Sequence, residues 1–143
     1  AGPAWHTDLR TIAARHPGVP VLCHHLAGVS AGGTEEDEAG LREVLGSVSC
    51  PNILIKVSGF HYSSPTGWDY PWPDAVDVFR RLFEEFGPRR LCWASDFPAS
   101  TRHCTYRQSL EVIRAHCDFL TADDRRQILG ATLRDVLAGR LPG

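Results

Sequence analysis

The sequence contains no methionine, no Cys-x-x-Cys pair and only one lysine, Lys56, among its 15 basic residues. It also has no apolar run near the ~20 residues that a membrane span requires. Each absence excludes something. Without a methionine no natural translation start is in view, and the N-terminus is expected to be cut. With no apolar span and no visible signal peptide, a membrane partner is not expected. A net charge of −2 gives no footing for nucleic acid or an anionic membrane surface. The arginines are scattered, so their dominance over lysine reflects a GC-rich genome rather than a phosphate-binding patch. The five cysteines, Cys23, Cys50, Cys92, Cys104 and Cys117, are odd in number. They point to a reducing, cytoplasmic compartment, and neither to a disulfide framework nor to a zinc ribbon.

The chain does have a composition that folds. Its 143 residues are one domain's worth, 43% hydrophobic and 22% charged, which is ordinary for a soluble globular protein. Trp5, Leu9, Ile12 and Ala13 mark an amphipathic helix over 4–16, ended by His16-Pro17-Gly18. Val19 to Cys23 reads as a strand that delivers His24, His25 and Leu26 to its carboxyl end. Thr34 with Asp37 is a capping pair for a helix running to about Ser47, and Glu35, Glu36 and Glu38 suit its positive end. Ile53-Leu54-Ile55-Lys56-Val57 is a second strand, ending at Ser58-Gly59. An aromatic loop over 60–73 follows, long enough to suggest a functional role. Asp74 is expected to cap the next helix, whose face is Ala75, Phe79, Leu82, Phe83 and Phe86. A third strand closes at Ser95-Asp96. Helices are expected over 106–119 and 122–138, the latter opened by Thr121 and Asp124, with Ile128, Leu129, Leu133, Val136 and Leu137 inward.

The pattern is strand–loop–helix three times over. His25 to Ser58 is 33 residues and Ser58 to Asp96 is 38, close to the ~30 or more of a βαβ unit. Parallel neighbouring strands then place His25, Ser58 and Asp96 on one rim, at the end of the sheet where α/β folds bind ligands. Imidazole nitrogen and carboxylate oxygen both ligate zinc-like cations, and an aspartate also takes a proton from water. Adjacent strand residues face opposite ways, so at most one of His24 and His25 is expected to ligate where the chain is still extended. Asp96 has a purely structural alternative as a helix N-cap.

Four stretches carry a family resemblance. Val21-Leu22-Cys23-His24-His25-Leu26-Ala27 is similar to the hydrophobics–Asp–His–Leu–Ala/Gly strand of amidohydrolase-related (amidohydrolase family 2) proteins. Asn52 to Gly59 resembles their Asn-x-x-x-Lys-x-Ser-Gly strand. Phe86 to Pro98 resembles their Phe-Gly-x-x-Arg strand that ends in Gly-Ser-Asp-Trp/Phe-Pro, and Ile128 to Arg134 their closing helix. This branch includes sugar-acid lactonases, a pyrone-dicarboxylate lactonase and an amino-carboxymuconate-semialdehyde decarboxylase. The resemblance implies strands six, seven and eight of a (β/α)₈ TIM barrel, with residues 1–143 as its C-terminal portion. It implies His25 and Asp96 as catalytic residues and, in some members, as ligands of a divalent metal such as zinc or manganese; certain lactonases use the same residues without one. Ser58, His61, Tyr62 and Arg102 are implied around a small-molecule substrate.

The chain departs from the pattern too. It lacks the family's opening His-x-His, His24 replaces the aspartate before the histidine, and Ala94 replaces the glycine before Ser95. A TIM barrel takes ~250 residues, with a floor near 200, so three strands cannot close one. Two functions therefore stand: the C-terminal part of a hydrolase acting on a lactone, amide or carboxylate through an Asp-activated water, or a non-catalytic half-barrel that binds or self-associates. The partner is the missing N-terminal half in the first case and a second copy in the other.

Overall fold

The computed structural model describes residues 2–141. After a 3₁₀ turn at Pro3–Trp5 come α1 (His6–Arg15), β1 (Val21–Cys23), α2 (Glu35–Leu45), β2 (Ile53–Val57) and the short α3 (Phe60–Ser63). Then follow α4 (Pro73–Phe86), β3 (Leu91–Trp93), α5 (Tyr106–Ala115), α6 (Ala122–Arg126) and α7 (Thr132–Leu137), the last two joined by a π turn at Gln127–Ala131. The sheet is parallel, in the order β1-β2-β3, with Val21 opposite Ile53 and Ile55 opposite Leu91. This is an α/β fold. Among the described residues β1 and β3 each pair on one side only. No helix among these residues is long and apolar enough to cross a membrane.

β2 is central because its sequence is almost wholly apolar and β-branched, which suits a strand covered on both faces. Side chains alternate along a strand, so the register divides the sheet. Cys23, Ile53, Ile55, Val57 and Leu91 join the main core with Leu41, Val44, Phe79, Leu82, Ile113 and Ile128. Leu22, Leu54, Lys56 and Cys92 are paired in register on the opposite face, and the buried Leu54 and Cys92 stand apart from that core.

Two polar clamps hold the end of the sheet away from the rim. Asn52 Nδ2 donates to the carbonyls of Ala13, His16 and Val19, tying the end of α1 to β2. The buried Arg90 donates to the carbonyls of Ile53, Val48, Ser47 and Cys50 and stacks over Phe86. The capping boxes Thr34–Asp37 and Thr121–Asp124 form as expected, and Thr105–Gln108 makes a third.

Several local expectations are corrected. α1 turns His6, Leu9 and Ala13 inward and leaves Trp5 and Ile12 exposed, because His6 Nδ1 bonds Ser47 Oγ at 2.8 Å and Arg10 bonds Glu43. Asp74 does not cap α4. The helix starts at Pro73, behind a left-handed Trp72, and Asp74 accepts from Ser64 Oγ and the Ala75 amide. The 106–119 helix stops at Ala115. In the last helix the π turn adds a residue to the helical repeat and rotates everything beyond it by about one residue's arc. Thr132 takes the buried position four residues after Ile128, donating to Pro88 O and accepting from Gln127, and Leu133 and Leu137 face out.

Candidate active site

The three parallel strands end at a common rim. His25 lies just beyond β1, Ser58 follows β2 directly, and Asp96 lies beyond β3. Each strand hands over to backbone that is not extended. His25, Leu26 and Ala27 all have positive φ (50°, 51° and 58°), and so does Asp96 (57°). Non-glycine residues held there are strained, and such strain concentrates at ligand sites. The turn at His25 redirects its ring toward the other two strands.

His25 Nε2 lies 3.8 Å from Asp96 Oδ1, and His25 Nδ1 lies 3.2 Å from Ser58 Oγ. The Tyr62 ring meets His25 edge-on at 5.1 Å. Gly59 makes this packing possible: it has φ +68°, and a Cβ there would stand 2.7 Å from His25 Nδ1 and 2.8 Å from Tyr62 Cδ2. His25 and Asp96 side chains are 30% and 17% exposed, so both are reachable yet partly desolvated. Burial holds the His25 pKa below its ordinary value, against the opposing pull of Asp96. Burial, then the Asp96 charge, holds the Tyr62 phenol above its own. Asp96 Oδ2 is buried with no hydrogen-bond partner among the described residues.

An open cleft of about 480 Å³ lies over these groups, lined by His25, Tyr62 and Asp96 together with Gly28, Val29, Ser30, Ser63 and Ala99. Of the other residues assigned to substrate, Ser58 and His61 sit behind this wall. His61 is 6% exposed and stacks on His103 at 4.3 Å, beside Tyr62 and Trp72. Burial and the neighbouring His103 pull its pKa down to about 4. Arg102 is exposed, close enough for its charge to act on the Tyr62 phenol. His24 is exposed and outside the pair. The aromatic loop folds around the buried Trp72, whose indole donates to Gly67 O. The cleft residues on the far side, Val29, Ser30 and Ala99, carry no sequence signal beyond their place after a strand.

The family model described as Amidohydrolase matches residues 6–137. The chain belongs to the amidohydrolase family. Solved amidohydrolase structures share its fold. One from Burkholderia multivorans with bound zinc is 18% identical with a TM-score of 0.83, over 99% of this chain and 51% of that one. Amidohydrolase 2 from Bifidobacterium longum subsp. infantis is 22% identical with a TM-score of 0.63, over 93% and 45%. A probable 2-pyrone-4,6-dicarboxylic acid hydrolase from Acinetobacter baumannii with citric acid bound is 21% identical with a TM-score of 0.72, over 96% and 50%. This amidohydrolase chain thus spans about half the length of the structures it matches. No curated protein matches it.

A zinc ion held by His25 and Asp96 would need a third protein ligand and bonds of about 2.0 Å, which set tetrahedral ligand atoms roughly 3.3 Å apart. The observed 3.8 Å is wider. Among the described residues no three His, Cys, Asp or Glu side chains cluster as a metal site. The amidohydrolase chain's own residues therefore do not fit a resident metal by themselves.

Proposed function

We propose that this chain supplies the C-terminal portion of an amidohydrolase-type hydrolase, its β1, β2 and β3 being strands six to eight of a (β/α)₈ barrel. The substrate class is a small lactone, amide or carboxylate. The observation that carries this reading is the approach of His25 to Asp96 at one strand rim, under an open cleft. On a lactone or amide, a water in that cleft attacks the substrate carbonyl carbon as Asp96 takes its proton. His25 faces the carbonyl oxygen that gains charge. When the carbon–heteroatom bond breaks, the proton on Asp96 passes to the leaving oxygen or nitrogen, and the carboxylate is restored. Zinc or manganese at this rim needs its remaining ligands from outside the described residues.

The test is a panel of lactones, amides and carboxylate esters offered to the complete enzyme. Hydrolysis of at least one, lost in both Asp96→Asn and His25→Ala, is expected; turnover kept in both variants contradicts the reading. The 143-residue chain alone is expected to bind divalent metal weakly and to turn over negligibly. Stoichiometric, sub-micromolar zinc binding with lactone hydrolysis by that chain would show that it needs no other half.

The bare edges of β1 and β3 favour a second reading, in which two copies of the chain pair. Sedimentation of the chain is then expected to show species larger than 15.8 kDa. A single compact species of that mass contradicts self-association.

A further inference from the structure

Ser58 was implied as a substrate contact, but its side chain is turned to His25 and lies behind the cleft wall. It is 2% exposed, and its Oγ has a single hydrogen-bond partner among the described residues, His25 Nδ1. A neutral imidazole carries one proton, on either Nδ1 or Nε2. With the proton on Nδ1, that nitrogen donates to Ser58 Oγ, and the buried serine hydroxyl is left with no acceptor. The Nε2 lone pair then faces the Asp96 carboxylate. With the proton on Nε2, Ser58 donates to Nδ1, its hydroxyl is satisfied, and a positive N–H end faces Asp96 Oδ1 at 3.8 Å. Both ring nitrogens therefore favour the same tautomer. The ring cannot easily turn over to exchange them, since Gly59 and Tyr62 pack against it.

We infer that Ser58 is a positioning residue that holds His25 as the Nε2–H tautomer, so that the rim presents a hydrogen-bond donor beside the Asp96 carboxylate. This rests on the reading of His25 and Asp96 as the reacting pair and states what His25 does in it: Nε2–H donates to the carbonyl oxygen as it becomes an oxyanion. The same proton keeps Nε2 from ligating a cation until it moves to Nδ1. Ser58 acts only through His25.

The experiment is long-range ¹H–¹⁵N correlation of the imidazole nitrogens in the ¹⁵N-histidine-labelled chain, metal-free, at about pH 8. His25 is assigned by its loss in His25→Gln. The wild type and Ser58→Thr are expected to give the Nε2–H pattern. In Ser58→Ala the ratio of the two tautomers is expected to shift toward Nδ1–H by about tenfold, with the backbone amide spectrum showing the fold retained. An Nδ1–H pattern in the wild type overturns the proposal, as does a Ser58→Ala ratio equal to that of the wild type. Tautomer and turnover fail separately. An Nδ1–H His25 in an enzyme that Asp96→Asn inactivates sinks the role of Ser58 alone, whereas the Nε2–H pattern with undiminished hydrolysis by Asp96→Asn sinks the hydrolase reading.

Discussion

His25 Nε2 approaches Asp96 Oδ1 to 3.8 Å across two strand ends, and both residues reach that position through left-handed backbone. Neither is a glycine, so each carries strain of about 1–3 kcal/mol that the surrounding packing must offset. Gly59 is the hinge of that packing, since its missing side chain is the space His25 and Tyr62 occupy.

Gly59→Ala is therefore expected to destabilise through both backbone strain and collision, by about 3 kcal/mol, and to displace the His25 ring. Gly33 is a matched control: it also has positive φ (+74°) but open space where a Cβ would stand. Gly33→Ala should cost only about 1–2 kcal/mol of strain. Urea unfolding of the two variants checks this, and equal losses would contradict the crowding at Gly59.

Arg90 anchors the far end of the sheet with its guanidinium divided among the carbonyls of Ile53, Val48, Ser47 and Cys50. An ammonium group cannot reproduce that planar fork. Arg90→Lys is expected to lose about 2 kcal/mol of stability, and Arg90→Met about 3 kcal/mol or more, because buried carbonyls are left unpaired. Chemical denaturation gives both values; an unchanged midpoint in Arg90→Met would contradict the clamp.

How much of this was legible depends on which forces write themselves into sequence. Capping pairs such as Thr34 with Asp37 and Thr121 with Asp124 are local, and they form where the spacing put them. The β-branched run Ile53–Val57 and the parallel order of the strands followed from apolar pattern and connection length. The meeting of His25, Ser58 and Asp96 at one rim followed in turn. What stayed hidden depends on tertiary context. Nothing local announces left-handed backbone at His25 or Asp96, which is imposed by the loops around them. Nor does anything local announce that Thr132, bonded to Pro88 O and Gln127, takes the buried position and leaves Leu133 and Leu137 outside. Arg90 stands in the sequence as the arginine of the Phe-Gly-x-x-Arg pattern, but the four carbonyls it gathers lie 37 to 43 residues away and are not legible there.

Stability should fall on acidification through the histidines. The His61 pKa is about 4 in the fold against an ordinary 6.5. Between those values the unfolded chain binds the proton and the folded one does not, so stability drops as pH falls from 6.5 to about 4. Below about pH 4 this contribution is spent. His6 and His25 are shifted the same way and add to the trend.

His61→Phe keeps a ring against His103 and removes the buried Nε2, which has no partner among the described residues. It is expected to gain about 1 kcal/mol at neutral pH and to flatten the stability curve between pH 6.5 and 4. Unfolding midpoints measured across that range decide it; an unchanged slope would contradict the burial of a neutral His61.

The most direct test of the His25–Asp96 pair is kcat/KM of the complete hydrolase and of its Asp96→Asn variant, on whichever lactone, amide or ester it turns over best. The variant must unfold at the same denaturant concentration as the parent. Removing a positioned general base costs about 10²–10⁴-fold, and a loss in that range is the predicted result. Asp96→Asn hydrolysing at the parent's rate would contradict the account.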